Sequence, residues 1–396
     1  MLIARDPPPL AGGESAQSAR VAEHIRAMIA GAGGWLPFSR FMEAALYAPR
    51  LGYYMAGRPI FGARGDFVTA PELTPIYGRC VAGQLAELLD RCGGGDVVEF
   101  GAGSGALAVH VLAELAARDR LPARYRIVDT SPALRERQHD RLASSPAQRQ
   151  GGVRIEWLDA PPREAWQGVA VANEVIDALP VDRFRIGTGG VEALGVAVVS
   201  GAFAWQAAPG DPALAAAVAA IQSQLPSPMP AGFVSERCPG LPQWIGSATA
   251  GMTQGALLVI DYGLPRAQYY HPARDGGTLC GFRGQHRIAD VFANPGAQDL
   301  TAWVDFSALA DAARAAGLVT AGFATQAHFL LSLGIERQLA RLHEQAGEHE
   351  RLAAGQAIAT LTHPGEMGER FKAMLCTRGI DGPFAGFSFR DLSESL

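Results

Sequence analysis

Apolar positions along the chain follow two different rhythms that meet near residue 93. Before it, Ser18, Val21, Ile25, Met28 and Ile29 recur at helical spacing over 18–30. Phe38–Tyr47 predicts a second helix ending before Pro49, and Tyr77–Asp90 a third. Between these two helices runs Gly52–Thr74, a glycine- and proline-rich segment whose Tyr53, Tyr54, Phe61 and Phe67 suit a loop that folds over a ligand and excludes water. From Asp96 short apolar runs alternate with helical stretches. The pattern predicts strand 96–100, helix 104–118, strand 125–129, helix 132–143, and strands 153–157 and 168–172. Such βαβ order implies an α/β fold with a mostly parallel sheet covered by helices on both faces.

The next strong strand, Ala256–Ile260, follows a long insertion holding strand-like runs Leu194–Val199 and Ala202–Gln206 and an alanine-rich helix, Pro212–Gln224. Helices are expected at 305–317, 330–345 and 349–361, then a coil-like tail. The predicted organisation is a helical region over 1–92 with an active-site loop at 52–74, and a Rossmann-like core from 93–180 and 251–330. A smaller α+β unit is inserted at 181–250, and a helical region with a tail closes the chain at 331–396.

Composition narrows the function. With 48% hydrophobic and 18% charged residues among 396, the chain has material for a core and is not of disordered type. No stretch approaches the roughly 20 apolar residues a membrane span needs, so no direct membrane insertion is expected. The first ten residues carry Asp6 and three prolines where a signal peptide would be apolar. A net charge of -5 without a basic stripe argues against nucleic acid as a partner. Of 34 basic residues only Lys372 is a lysine, which removes any Walker A or kinase β3 lysine. Five cysteines, scattered and without a C-x-x-C pair, predict reduced thiols in a cytoplasmic protein and no metal site.

The chemistry starts at Glu99-Phe100-Gly101-Ala102-Gly103-Ser104-Gly105, where glycines between a buried strand and a helix let a ligand approach the backbone. Gly101, Gly103 and Ala106 also satisfy G-x-G-x-x-G/A, so a nicotinamide enzyme stays open. Glu99 discriminates: a carboxylate at that strand end wants a cation, such as the amino group of an amino-acid-like cofactor. Asp129, ending the second strand, suits both hydroxyls of a ribose. Asp159, ending the third, is either an adenine reader or a surface turn. After the fourth strand come Asn173, Glu174 and Asp177, at the end where ligands of open α/β sheets sit. Helix N-capping is the competing role for Asn173 or Asp177, and it leaves Glu174 unexplained.

Taken together with Gly52-Tyr53-Tyr54, Gly65-Asp66-Phe67-Val68-Thr69, Ser131-Pro132, Asp177-Ala178-Leu179-Pro180, Asp261-Tyr262-Gly263, Gly277-Thr278-Leu279, His286 and Asp299-Leu300-Thr301, these motifs make 35–375 resemble the MidA family. These are class I methyltransferases dependent on S-adenosylmethionine, and the family's mitochondrial member is a complex I assembly factor that dimethylates an arginine. The chain departs from the family at Cys280, where an arginine is frequent, and in using Asp129 where the family has Glu. The resemblance implies S-adenosylmethionine as cofactor, S-adenosylhomocysteine as product, and Thr69 and Ser131 among the cofactor contacts. It implies a protein substrate such as a respiratory complex I subunit, and it is compatible with a homodimer. The catalytic candidates are Glu174, Asp177 and His286; for His286 a hydrogen-bonded structural role competes. A non-catalytic assembly factor that keeps the fold is the alternative function.

Overall fold

The computed structural model describes residues 10–57, 60, 65–66, 68–145 and 153–396. The chain forms two compact units, each assembled from separate segments. One comprises Val68–Ile176, Pro242–Gly263 and Phe306–Leu396; the other comprises Met1–Phe67, Asp177–Leu241 and Leu264–Asp305.

The first unit is built on an eight-stranded sheet, and the seven strands of its continuous path are numbered in chain order: β1 Asp96–Phe100, β2 Arg124–Val128, β3 Arg154–Leu158, β4 Trp166–Asn173, β5 Met252–Leu264, β6 Val319–Thr325 and β7 Phe371–Arg378. Their spatial order is β3-β2-β1-β4-β5-β7-β6. The pairs β1–β2, β2–β3, β1–β4 and β4–β5 are parallel, and β7 runs antiparallel to both β5 and β6. Strand β7 falls where a helical region and tail were expected. Its run Ala373–Cys376 is wholly buried, and a strand covered on both faces shows no polar alternation to betray it.

Helices Pro75–Cys92 and Ala106–Ala117 cover this sheet. Thr74 starts the first by accepting the Ile76 N–H, Pro75 occupies its first turn, and Gly93 ends it in the left-handed conformation. Gly78 lets the two helices touch, since a Cβ there would lie 2.4 Å from His110 Cβ. The strand order turns back between β1 and β4, so the carboxyl ends of these neighbours border the crevice where such sheets take ligands.

The second unit is all-new in its grouping: the expected insertion folds with N-terminal residues and with 264–305. Strand Gly190–Val199 pairs with Asp182–Gly187, Ala202–Pro209 and Leu36–Pro37, and Asp182–Gly187 also pairs with Val234–Arg237. A three-stranded sheet joins Cys280–Arg283 to His286–Ile288 and Asp299–Thr301. Helix Phe38–Tyr47 brings Phe38 and Phe41 against Trp205, Phe203 and Phe292 at centroid distances of 4.9–6.4 Å, an aromatic core for this unit. Among the described residues no helix is long and apolar enough to cross a membrane.

Candidate cofactor and active site

The loop after β1 is held open for a ligand. Gly101, Gly103 and Gly105 have φ of +60°, +53° and +82°, values that side chains rarely adopt. A Cβ on Gly101 would sit 3.0 Å from Val175 Cγ2, and one on Gly105 3.3 Å from Gln138 Cα. No side chain caps the start of helix Ala106–Ala117. Its first N–H groups and the loop's backbone therefore form the kind of cradle that accepts a carboxylate or phosphate.

Around this loop stand buried acids. Glu99, 2% exposed, accepts the Tyr125 hydroxyl at 2.6 Å. Burial, helped by the charge of Asp129, pushes its carboxyl up to about 7, against the opposing Tyr125 hydrogen bond. Asp129 accepts the Ser131 N–H at 2.9 Å on one oxygen and the Gln138 side-chain amide at 2.7 Å on the other. Burial raises this carboxyl as well, against those two bonds and Arg135. Gln138, absent from the sequence candidates, is a hub: it also donates to Gly103 O at 3.0 Å and accepts from Trp157 Nε1 at 3.1 Å. Ser131 is buried ahead of helix Pro132–Ala143, where its N–H serves Asp129. Asp159 stays at the surface with a 91% exposed side chain, paired with Arg135 at 2.8 Å.

At the end of β4, Asn173 accepts the hydroxyl of buried Tyr77 at 2.5 Å and donates to Glu174 Oε1 at 3.2 Å. The same oxygen accepts the Ala70 N–H at 3.3 Å, just past Thr69, which is half-buried and makes no side-chain cap. Glu174 has φ +55°, a conformation that costs about 1–3 kcal/mol for a residue with a side chain and clusters at functional sites. Its strain is held by a 2.8 Å bond from its N–H to Ile260 O on β5 and by buried Asp261, which accepts the N–H groups of Val175 and Ile176 at 3.2 and 2.9 Å.

Asp177 belongs to the other unit. No helix follows it, so the capping role is replaced by a different one: its carboxylate accepts the Thr301 hydroxyl at 2.7 Å. Nearby in that unit Tyr54 donates to Asp299 at 2.9 Å, and Tyr53 to Asp66 at 2.8 Å. Burial and then the charge of Asp177 drive the Asp299 carboxyl well above its ordinary range, against the opposing Tyr54 hydrogen bond. His286 is half-buried, its Nδ1 2.6 Å from Gly284 O in its own hairpin turn. Of the aromatic residues expected on the loop, Phe61 and Phe67 lie outside the described residues.

Two buried carboxylates, Glu99 and Asp129, with a glycine cradle between them, make an acceptor set that could hold the ammonium and ribose groups of an adenosyl amino acid. A family profile described as "Putative S-adenosyl-L-methionine-dependent methyltransferase" matches residues 80–324. The chain belongs to this methyltransferase family. A Burkholderia thailandensis protein crystallised with S-adenosyl-homocysteine is 39% identical to this methyltransferase, with 99% of the chain and 100% of that protein covered and a TM-score of 0.92. The protein arginine methyltransferase NDUFAF7 homolog of Drosophila melanogaster is 28% identical over 93% of this chain and 88% of its own length. The human NDUFAF7 protein is 29% identical over 85% and 79%. The chain is thus an S-adenosylmethionine-dependent methyltransferase of the class I α/β fold.

One expectation is corrected. The curated relatives are mitochondrial proteins, against the cytoplasmic placement drawn from the thiols. The five cysteines are indeed free, but reduced thiols separate reducing from oxidising compartments and cannot choose between two reducing ones.

Proposed function

We propose that this methyltransferase modifies an arginine of a protein substrate, with Glu174 as the acid that receives the guanidinium. The carrying observation is Glu174 itself: a strained, hydrogen-bonded carboxylate at the end of β4, where the sheet's ligand crevice opens. The names of the curated relatives support the substrate class.

Bound S-adenosylmethionine supplies an electrophilic methyl group. The chain must do the rest. A guanidinium stays protonated at ordinary pH, and its delocalised lone pairs make it a poor nucleophile. A carboxylate held by Asn173 and the Ala70 N–H can orient the guanidinium, concentrate electron density on one nitrogen and draw off its proton during transfer. Tyr77, by fixing the Asn173 amide, fixes which way that carboxylate faces. Asp177 and His286 are given no chemical step in this reading. A respiratory complex I subunit is the target class proposed, on the family resemblance.

Tritiated methyl transfer from S-adenosylmethionine into extracts of a deletion strain, followed by amino-acid analysis, tests the proposal. Label recovered as methylarginine, and lost with Glu174→Gln, is the expected result. Label on another amino acid overturns the arginine reading, and no label with intact cofactor binding favours a non-catalytic assembly factor.

A further inference from the structure

The helical turn Ala70–Leu73 grips the cofactor loop at one end and the reaction acid at the other, within one unit. Its first N–H donates to Glu174 Oε1. Two residues on, Glu72 accepts the Ser104 hydroxyl, and Arg141 Nη1 at 2.8 Å. The same Arg141 nitrogen donates to Ser104 Oγ at 2.6 Å, closing a triangle. Ser104 is the residue between Gly103 and Gly105, so the triangle takes hold of the loop between two glycines of positive φ.

We infer that Glu72 is a positioning residue for the cofactor: through Ser104 and Arg141 it sets the glycine loop in its binding geometry before the cofactor arrives, and the turn that carries it clasps that loop to Glu174. Glycines widen the set of backbone conformations open to a free loop, and any ordering left to the moment of binding weakens affinity. Anchoring the one side chain between two glycines removes that cost in advance. An exposed ion pair would contribute little, but the Glu72 side chain is only 15% exposed. Burial alone would raise its carboxyl; the Ser104 and Arg141 bonds outweigh this and hold it below its usual value, so it stays charged. His110, the other titratable group at Glu72, is pushed down to about 4 by burial and by Arg141, and stays neutral at working pH.

The test is S-adenosylhomocysteine titration calorimetry on the full chain, together with hydrogen exchange of the cofactor-free protein. Glu72→Gln and Ser104→Ala are each expected to raise Kd about ten- to a hundredfold, the range for losing a charge-assisted bond. The double variant should be little worse than either single one, because both remove the same link. Ser104→Thr, which keeps the hydroxyl, should return to within about threefold of wild type on that scale. In Glu72→Gln the amides of 101–106 should lose protection while those of β1 keep theirs. Affinities within about twofold of wild type, additive losses in the double variant, or protection lost equally through β1 would each overturn the inference.

Discussion

Tyr125 and Glu99, on adjacent strands and almost wholly buried, share a hydrogen bond of 2.6 Å at the head of the sheet. Glu99 accepts, and it sits near its own midpoint at neutral pH. An ammonium group placed against it needs the ionised form. Cofactor affinity should therefore rise about tenfold per pH unit below 7 and level off above it. Calorimetric titration with S-adenosylhomocysteine between pH 5.5 and 8.5 checks this, and a flat profile would remove Glu99 from the amino end.

The same carboxyl makes a statement about stability. Its folded pKa lies above the ordinary glutamate value, so between the two the folded cofactor-free protein holds the proton more tightly than the unfolded chain. The stability this gives is present at low pH and is lost as pH rises through about 7. Glu99→Gln should flatten that slope in urea unfolding measured from pH 5 to 8.

Asp129→Ala removes the acceptor on which Ser131 and Gln138 converge. With Asp129 proposed as the acceptor for the ribose hydroxyls, losing that charge-assisted contact should weaken S-adenosylhomocysteine about ten- to a hundredfold. Unchanged affinity would take Asp129 out of the site.

Glu174→Gln keeps shape but removes charge. Transfer should fall by about two to four orders of magnitude while S-adenosylhomocysteine affinity stays within about threefold. Glu174→Gly relieves the φ of +55° and should melt no lower than wild type despite equal loss of activity. Wild-type transfer by Glu174→Gln would make this acid structural.

Thr301→Val is nearly isosteric and deletes the hydroxyl bonded to Asp177. Leaving that buried carboxylate short of a donor should cost about 1–3 kcal/mol, read from the urea midpoint at constant m-value. A midpoint equal to wild type would show the bond to be dispensable.

How much of this could be read from the chain depended on sequence distance. The run from Val97 to Gly105 announced strand, turn and helix because apolar residues and glycines follow one another locally, and the acid of Asp129 could be placed by counting to the next strand end. Gln138, Tyr77, Glu72 and Arg141 carried no such signal. Tyr77 reaches Asn173, and Arg141 reaches Glu72, only after the strands have brought distant segments together. A lone Gln or Arg on an amphipathic helix looks like solvated surface until its partner is in view. The αL backbone of Glu174 was equally hidden, since nothing in Asn-Glu-Val marks a turn that only Asp261 and β5 impose.

Strand β7 also dictates when the protein can be finished. It lies between β5 and β6 although it is made last, from residues 371–378. A nascent chain can therefore complete the parallel half of the sheet while Leu257–Ile260 of β5 still present bare backbone on the side that Ala373–Cys376 will cover. An open apolar edge of that kind recruits other strands. Premature termination upstream of Phe371 should thus yield aggregates instead of a smaller working enzyme, and the ribosome must release the chain through Arg378 before the sheet can close.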